Sequence, residues 1–329
     1  MRPAQAVEAA RSVIGEKRVR LHEPLFIGNE RAYLDDALAS GQVAYGPYVQ
    51  RFEEKLCEIT GRKHAVATSS GTAALHLAIG VMSGFETRED ERPCEFSMPS
   101  LTFVATANAV QYCGMTPSFT EGPAYLSVDV LGRVNRWERA DVGWPGIEDA
   151  APALGSDGAG TFGRLACFSF NGNKIVTCGG GGAVVTDEQS LAEQIRHLAN
   201  QAKSSPTEHD QVGFNYRMPN LNAALGLAQL ERLPEFLERK ARLADRYAQV
   251  FGEHFWKPPE GSNNWLNAIL VDNRDEVVSA LNEAGYESRP LHAPLHTLPM
   301  YRDCPRGDMA RTMEIWRRCV CLPSGAGLA

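Results

Sequence analysis

The sequence predicts an α/β protein with a mostly parallel central sheet covered by helices, followed by a smaller α/β unit at the C-terminus. Short apolar strands alternate with helical segments along most of the chain, the pattern of parallel sheets. The chain has 329 residues, more than the roughly 250–300 that one hydrophobic core serves. We therefore expect an N-terminal segment (1–46) that packs with the small domain, a large domain (47–230) and a small domain (231–329).

The individual elements follow from apolar spacing and from the residues at their ends. Helices are predicted where apolar residues recur at helical spacing, and several stop at a glycine, as at Gly41 and Gly61. The predicted helices are 3–16, 29–40, 47–60, 73–81, 103–112, 189–202, 219–251 (interrupted at Pro234) and 275–284. The predicted strands are 64–68, 95–98, 116–119, 146–148, 165–170, 183–186 and 268–271.

Composition excludes several function classes. The net charge is −7 and no dense basic patch occurs, so nucleic-acid binding is not expected. The chain contains no run of 18 or more apolar residues, so no membrane span is predicted. Residues 1–17 do not resemble a signal peptide. Both observations favour a cytoplasmic enzyme. The eight cysteines are scattered, and the spacing of Cys319 and Cys321 does not suit a zinc site, so no metal is predicted.

Lys174 is the most informative residue of the chain. It stands between an apolar strand-like stretch (165–170) and four consecutive glycines (179–182). Lysine is rarely buried without a partner, but an amine in this position can form an imine with an aldehyde. The segment therefore suggests a lysine that carries pyridoxal phosphate (PLP). Taken alone, it is explained equally well by a surface lysine at the end of a strand.

The other groups that PLP needs also have candidates. Asp149, just past a predicted strand, can pair with the pyridine nitrogen, although an aspartate there also suits a helix N-cap. The turn 69–72 before a helix can bind a phosphate, or can simply cap that helix. Ser169 can help only if a turn separates it from Lys174, since the two would otherwise point to opposite faces. Phe103 can stack on the ring, or can belong to the core.

Five motifs in this order resemble one family. They are Ser-Gly-Thr-Ala-Ala-Leu-His (70–76), Pro-Ser-Leu-Thr-Phe-Val-Ala-Thr-Ala-Asn-Ala (99–109), Glu-Asp-Ala-Ala (148–151), Phe-Ser-Phe-Asn-Gly-Asn-Lys with its glycines (168–182) and Gly-Phe-Asn-Tyr-Arg-Met (213–218). The family is that of the DegT/StrS-type sugar-nucleotide aminotransferases, of aminotransferase fold type I. The stretches 22–30 and 289–324 are similar to its branch that makes the 4-amino group of bacillosamine- and legionaminic-type sugars.

The resemblance implies a PLP enzyme with a defined cofactor site. Lys174 would hold the cofactor as an imine and then move a proton between substrate and cofactor. The remaining cofactor contacts would be Asp149 at the pyridine nitrogen, Phe103 on the ring, and Gly71, Thr72 and Ser169 at the phosphate. Asn215 would reach the phosphate of a neighbouring subunit's cofactor, so the active sites would be shared within a homodimer.

The resemblance also implies the substrates. The amino donor would be L-glutamate and the acceptor a nucleotide-linked 4-keto-6-deoxy sugar, in amino-sugar or surface-glycan biosynthesis. Candidates for the sugar and diphosphate are His22, Tyr45, Arg217 and Arg289, for each of which a surface contact is the alternative. No residue type indicates which sugar or nucleotide is used, or whether the new amine is axial or equatorial.

Two departures from the family pattern stand out. Pro152 replaces a glutamine or histidine that would contact the ring oxygen of the cofactor. The region 125–148 is too short for a full βα unit of roughly 30 residues, so we expect a strand or its covering helix to be shortened or lost.

Two other functions are compatible with the fold. A PLP-type 3-dehydratase would carry histidine where this chain has Lys174, which argues against that reading. A catalytically reduced regulatory or scaffold homologue is supported only by the short 125–148 region. A nucleotide-binding P-loop is excluded because no Gly-Lys-Ser/Thr follows the glycines.

Overall fold

The computed structural model describes residues 1–84, 95–122, 124–134 and 146–329. Its α-helices are α1 (Pro3–Ile14), α2 (Glu30–Ala39), α3 (Pro47–Thr60), α4 (Gly71–Ser83), α5 (Val104–Tyr112), α6 (Gln189–Ala199), α7 (Asn220–Glu231), α8 (Leu233–Phe251), α9 (Arg274–Glu283) and α10 (Ala310–Arg318). Its strands are β1 (His64–Thr68), β2 (Glu95–Met98), β3 (Thr116–Phe119), β4 (Leu126–Val128), β5 (Ile147–Asp149), β6 (Leu165–Ser169), β7 (Gly182–Thr186), β8 (Asn267–Leu270), β9 (Arg289–Pro290) and β10 (Cys319–Leu322).

The central sheet has the strand order β1-β7-β6-β5-β4. Strand β7 is antiparallel to both of its neighbours, whereas β4, β5 and β6 pair in parallel. Strands β1, β4, β5 and β6 therefore share one direction. The parallel pair β2–β3 forms a separate two-stranded sheet that lies beside β4. This arrangement confirms the predicted α/β class with a mostly parallel sheet.

The common direction of these strands decides where a site can form. Since the carboxyl ends of parallel strands meet at one edge of the sheet, ligands of α/β proteins bind there. Asp149 ends β5, Ser169 ends β6, and Thr68 ends β1 just before helix α4. Residues from three separate sequence regions are thus collected at one edge.

A second, three-stranded sheet of order β8-β10-β9 is packed with helices α1, α8 and α9. The long helix predicted over 219–251 is divided at Arg232, just before Pro234, into α7 and α8. The predicted boundary at 230/231 falls in the last turn of α7. The division into three parts stays a prediction, because one core cluster contains residues of all three, among them Leu21, Phe168 and Cys321.

Most predicted elements are present, with ends that differ by a few residues. The sequence analysis did not predict β4, β9, α10 or β10, all of them short. The expected strand over 116–119 forms despite Pro117, because Pro117 lies in the two-stranded parallel pair with β2. Within the described residues no helix is long and apolar enough to cross a membrane.

The short region before Asp149 keeps its strand. Strand β4 has three residues and pairs in parallel with β5 from Leu126 opposite Ile147. Between them the structure describes a single 3-10 turn at Val130–Gly132, with Leu131 and Gly132 at positive φ. Residues 135–145 lie outside the described residues. Part of the region in which a shortened strand or helix was expected is therefore not described.

Candidate active site

A cavity of about 380 Å³ opens at the carboxyl edge of the central sheet. Seven residues that the sequence predicted for the site line it: Gly71, Thr72, Phe103, Asp149, Ser169, Lys174 and Arg289. They come from strand ends, from the start of α4 and from the small sheet. The cavity therefore brings together residues that are far apart in sequence.

One end of the cavity is the N-terminus of helix α4. Ser70 caps this helix, its hydroxyl accepting from the Ala73 N–H at 3.1 Å, so the capping interpretation of the turn is correct. The N–H groups of Gly71 and Thr72 precede the first helical hydrogen bond, and both residues line the cavity. A Cβ on Gly71 would lie 2.8 Å from the Cβ of Ser169, so only glycine allows this approach. Free amides, hydroxyls and the helix dipole make this end suited to a phosphate.

Asp149 lies on the floor of the cavity and is 3% exposed. Its carboxylate accepts hydrogen bonds from the Thr106 hydroxyl (2.8 Å) and from the Ala151 N–H (3.2 Å). Burial raises the pKa of Asp149, while Thr106, Ala151 and the nearby charge of Lys174 oppose that rise. Turns rather than a helix follow the strand, so the N-cap interpretation is wrong. A buried carboxylate in this setting suits a cationic group bound in the cavity, such as a protonated pyridine.

Lys174 borders the cavity and is half-buried. Its N–H donates to the Asn171 carbonyl at 2.9 Å, which closes the turn that was needed to bring Ser169 and Lys174 to one side. Burial lowers the pKa of Lys174 to about 8; the charge of Asp149 opposes this shift and that of Arg289 adds to it. The Lys174 amine lies 3.9 Å from the ring centroid of Trp265. An amine with this pKa is partly neutral near physiological pH, as a nucleophile must be.

Phe103 belongs to the cavity wall and not to the core. Its side chain is 55% exposed, and its ring centroid is 5.0 Å from that of His292. His292 in turn is 3.3 Å from the Arg289 guanidinium, measured from its Nε2. Burial, with the charges of Arg289 and Lys174, lowers the pKa of His292 to about 4, so this imidazole is neutral at pH 7.

A smaller cavity of about 210 Å³ adjoins the first. The two share Asn173, Trp265 and Arg289, and the smaller one is also lined by Arg20 and His22. Burial and the charges of Lys240 and Lys174 lower the pKa of His22. His22, predicted as a substrate residue, is therefore placed next to the main cavity and not in it.

Three predicted residues lie outside the cavity of their own chain. The Arg217 guanidinium stacks on the Tyr45 ring at 3.7 Å, and Tyr45 is 64% exposed. Asn215 is exposed and forms a β-bridge with Asn200. These placements leave all three at the surface, where a second subunit can be contacted.

Sequence reasoning missed Trp265, His292 and Thr106. Trp265 is fixed by a hydrogen bond from its indole N–H to the Asn173 carbonyl (2.8 Å) and by one from its backbone N–H to Asn263 (2.9 Å). Thr106 and His292 lie inside stretches that carried the family resemblance, which was the only available signal. Trp265 had none, because the residues that it contacts in the cavity, Asn173 and Lys174, are distant in sequence.

Pro152 lines the cavity, as its position in the motif predicted. Its carbonyl accepts from the Asn263 amide at 2.8 Å, and the same amide donates to the Leu154 carbonyl at 2.9 Å. The Asn263 side chain also accepts a hydrogen bond from the Trp265 backbone N–H. One side chain therefore fixes both the turn after β5 and Trp265, whose ring lies over Lys174. Among the described residues no cluster of three or more His, Cys, Asp or Glu side chains could hold a metal ion.

The fold and this cavity are suited to a PLP-dependent transferase. Comparison with protein families then identifies the chain: it belongs to the DegT/DnrJ/EryC1/StrS aminotransferase family, whose model matches residues 26–132 and 133–329. The family prediction is confirmed, and with it the PLP-dependent aminotransferase class. The more specific resemblance to the bacillosamine and legionaminic branch stays a prediction.

Individual relatives agree with this family. The chain is 35% identical to the putative pyridoxal phosphate-dependent aminotransferase EpsN of Bacillus subtilis, covering 95% of this chain and 92% of EpsN. It is 35% identical to the GDP-perosamine synthase of Vibrio cholerae, covering 94% and 95%. Among solved structures, DesI with its TDP-sugar product matches with a TM-score of 0.84 and 28% identity, covering 96% of this chain and 90% of DesI.

Proposed function

We propose that this protein transfers an amino group from L-glutamate to the keto carbon of a nucleotide-linked 4-keto-6-deoxy sugar. The observation that carries the proposal is the single cavity in which Lys174, Asp149 and the start of helix α4 meet. Two relatives support the acceptor: one is a GDP-perosamine synthase and one was solved with a TDP-linked sugar product. The proposal includes a cytoplasmic location and a place in amino-sugar or surface-glycan biosynthesis.

The described residues fit the cofactor. Gly71, Thr72 and Ser169 would hold the phosphate through backbone amides and hydroxyls. Asp149 would pair with the pyridine nitrogen, and Phe103 would cover the ring. Bound PLP supplies the electron sink that allows an amine to be exchanged for a ketone.

The protein's own residues do the rest of the chemistry. The Thr106 hydroxyl and the Ala151 N–H stabilise the charged form of Asp149, and a cation bound in the cavity would favour that form further. Lys174, once free of the cofactor, would accept a proton at Nζ from the donor carbon and deliver it to the bound cofactor in the same half-reaction. Trp265 lies over this amine and limits its access to water.

The second subunit is part of the proposal. Arg217 stacks on the exposed Tyr45, Asn215 is exposed two residues before Arg217, and all three lie outside the cavity of their own chain. In a two-fold symmetric homodimer, Asn215 would contact the cofactor phosphate of the other subunit, with Arg217 and Tyr45 near the substrate. His22 and Arg289 are proposed as further substrate contacts. No described residue favours the alternative of a catalytically reduced homologue.

The test is an assay of PLP-loaded protein with L-glutamate and a panel of UDP-, GDP- and dTDP-linked 4-keto-6-deoxy sugars. We expect 2-oxoglutarate and one aminated nucleotide sugar, found by mass spectrometry. Borohydride should attach the cofactor covalently to Lys174. A protein that binds PLP at Lys174 but aminates no member of the panel would contradict the proposal.

A further inference from the structure

Arg289 and His292 form one wall of the main cavity, and Arg289 gives this wall a positive charge. Among the described residues that line the cavity, Arg289 is the only arginine, and Lys174 and Asp149 are the other charged groups. No described carboxylate lies within 4.0 Å of the Arg289 guanidinium. A half-buried arginine beside a cavity without an acidic partner is suited to an anionic ligand.

The position of Arg289 is fixed by the fold. Its backbone lies in β9, paired with Cys321 of β10. Its NH2 group contacts His292 Nε2 at 3.3 Å. Since burial and the neighbouring charges lower the pKa of His292 to about 4, the imidazole is neutral and can accept this hydrogen bond. His292 therefore orients the guanidinium and adds no competing charge.

The bound groups of the proposed reaction leave Arg289 without an anionic partner. Asp149 would face the cofactor nitrogen, and the cofactor phosphate would lie at the start of α4. Arg289, His292 and Lys174 line the same cavity, and Arg289 contacts His292 at 3.3 Å, so the three basic groups lie near one another. An anion bound by Arg289 is thus held close to the atom that reacts with Lys174.

The two substrates differ in where they carry negative charge. An amino acid has its α-carboxylate on the reacting carbon itself. A 4-keto sugar nucleotide has its diphosphate on the opposite side of the sugar ring from the keto carbon. A cation near Lys174 therefore matches the carboxylate of the donor and not the diphosphate of the acceptor.

We infer that Arg289, oriented by His292, binds the α-carboxylate of the amino donor. This inference rests on the proposed aminotransferase function and gives Arg289 a different role from the diphosphate contact suggested by the sequence. It also predicts that the donor and acceptor half-reactions depend on different residues.

The two half-reactions can be measured separately on cofactor-loaded protein. In the first, L-glutamate converts the lysine-linked cofactor to its amine form, followed by absorbance. In the second, the amine form reacts with a nucleotide-linked keto sugar. Arg289→Gln should lower kcat/KM for L-glutamate about 100-fold, the worth of a charged hydrogen-bond pair, and leave the second half-reaction within about threefold.

Matched variants separate charge from geometry. Arg289→Lys should recover part of the donor step, because it keeps the charge and loses the fork. His292→Phe should raise the KM for L-glutamate more than it lowers kcat, since it removes only the orienting acceptor. Arg31→Gln, the same change on the exposed face of α2, should alter neither half-reaction.

Two readouts do not depend on the acceptor. Wild-type protein should prefer L-glutamate to its α-amide, and Arg289→Gln should abolish this preference. Glutarate binding, measured by calorimetry, should weaken by about tenfold in the variant. An unchanged preference, or a higher KM for the sugar nucleotide with a normal donor step, would overturn the inference.

The outcomes distinguish this inference from the proposed function. If the donor step depends on Arg289 but no nucleotide sugar accepts the amine, the inference stands and the proposed acceptor fails. If wild-type protein reacts with no amino acid, both fail.

Discussion

Two lysines among the described residues have a lowered pKa, and one of them, Lys174, lines the main cavity. Burial lowers the pKa of Lys174 to about 8 and that of Lys240 to about 7. Lys174 lines the main cavity close to the charge of Asp149. Lys240 is 0% exposed, and no carboxylate among the described residues pairs with it. A lowered pKa therefore follows from burial at both positions, whereas chemistry also requires access for a ligand.

The contacts of Lys240 show what a buried amine does outside the main cavity. It donates to the carbonyls of Trp265 (3.1 Å) and Ser324, and its Nζ lies 3.3 Å from Nε2 of His22. Lys240 thus joins three separate segments of the chain by hydrogen bonds. Trp265 links the two lysines, because its carbonyl binds Lys240 and its ring lies over Lys174.

The largest effect is expected at Lys174. Lys174→Ala should lower amino transfer by at least about 10⁴-fold, because one amine serves as both cofactor anchor and proton carrier. The free energy of unfolding should change by less than about 1 kcal/mol, since the side chain borders a cavity. Turnover with L-glutamate and urea unfolding measure the two effects. Substantial turnover in this variant would contradict the role of Lys174.

The next effect is expected at the partner of Lys174. Asp149→Asn keeps the shape of the side chain but removes its charge, so kcat should fall about 10²- to 10³-fold. Borohydride should still attach the cofactor to Lys174. Glu148→Gln is the matched control, because the Glu148 carboxylate accepts from the N–H groups of Gly160 and Phe162 and does not line the cavity. Equal loss of kcat in both variants would argue against a specific role for Asp149.

A smaller and different effect is expected at Lys240. Lys240→Met should lower the free energy of unfolding by about 1–3 kcal/mol, because the carbonyls of Trp265 and Ser324 lose their donor. The kcat should fall less than about tenfold, since Trp265 keeps its hydrogen bonds to Asn173 and Asn263. Urea unfolding and steady-state turnover test this. A loss of turnover as large as that in Lys174→Ala would show that the two lysines act together.

The last expected effect is a change in pH dependence. Between the folded-state pKa of Lys240, about 7, and its ordinary value of 10.5, the unfolded chain binds a proton that the folded chain does not. Raising the pH through this window therefore stabilises the folded state, by up to about 1.4 kcal/mol per pH unit. This gain should be absent in Lys240→Met. Unfolding in urea at several pH values, with cofactor-saturated protein, measures it.

An exposed lysine provides the control for this pH effect. Lys203→Met removes the same charge from the surface loop after α6 and should leave the slope of stability against pH unchanged. If Lys240→Met has the slope of the wild-type protein, Lys240 keeps its proton in the folded state at neutral pH.

The two lysines also show which parts of the structure could be predicted from the sequence and which could not. Lys174 was found because its strand, turn and glycines are adjacent in the chain, and its partners lie in motifs of similar local character. Lys240 lies inside a long amphipathic helix, where a lysine normally faces solvent. Its burial arises from the packing of α8 against the segments that contain His22, Trp265 and Ser324, which no local pattern records.

The sequence by itself determined the α/β class, most of the helices and strands, the family and the lysine of the site, because strand and helix periodicity and motif order are local properties. The tertiary structure alone decided that His292 and Trp265 join this site and that Asn215, Arg217 and Tyr45 lie outside the cavity of their own chain. It did so because the carboxyl edge of the sheet and the small β8-β10-β9 sheet meet only after the chain has folded. Side chains separated by more than a hundred residues then line one cavity. Their electrostatic interactions and hydrogen bonds exist only because folding brings the two sheets together.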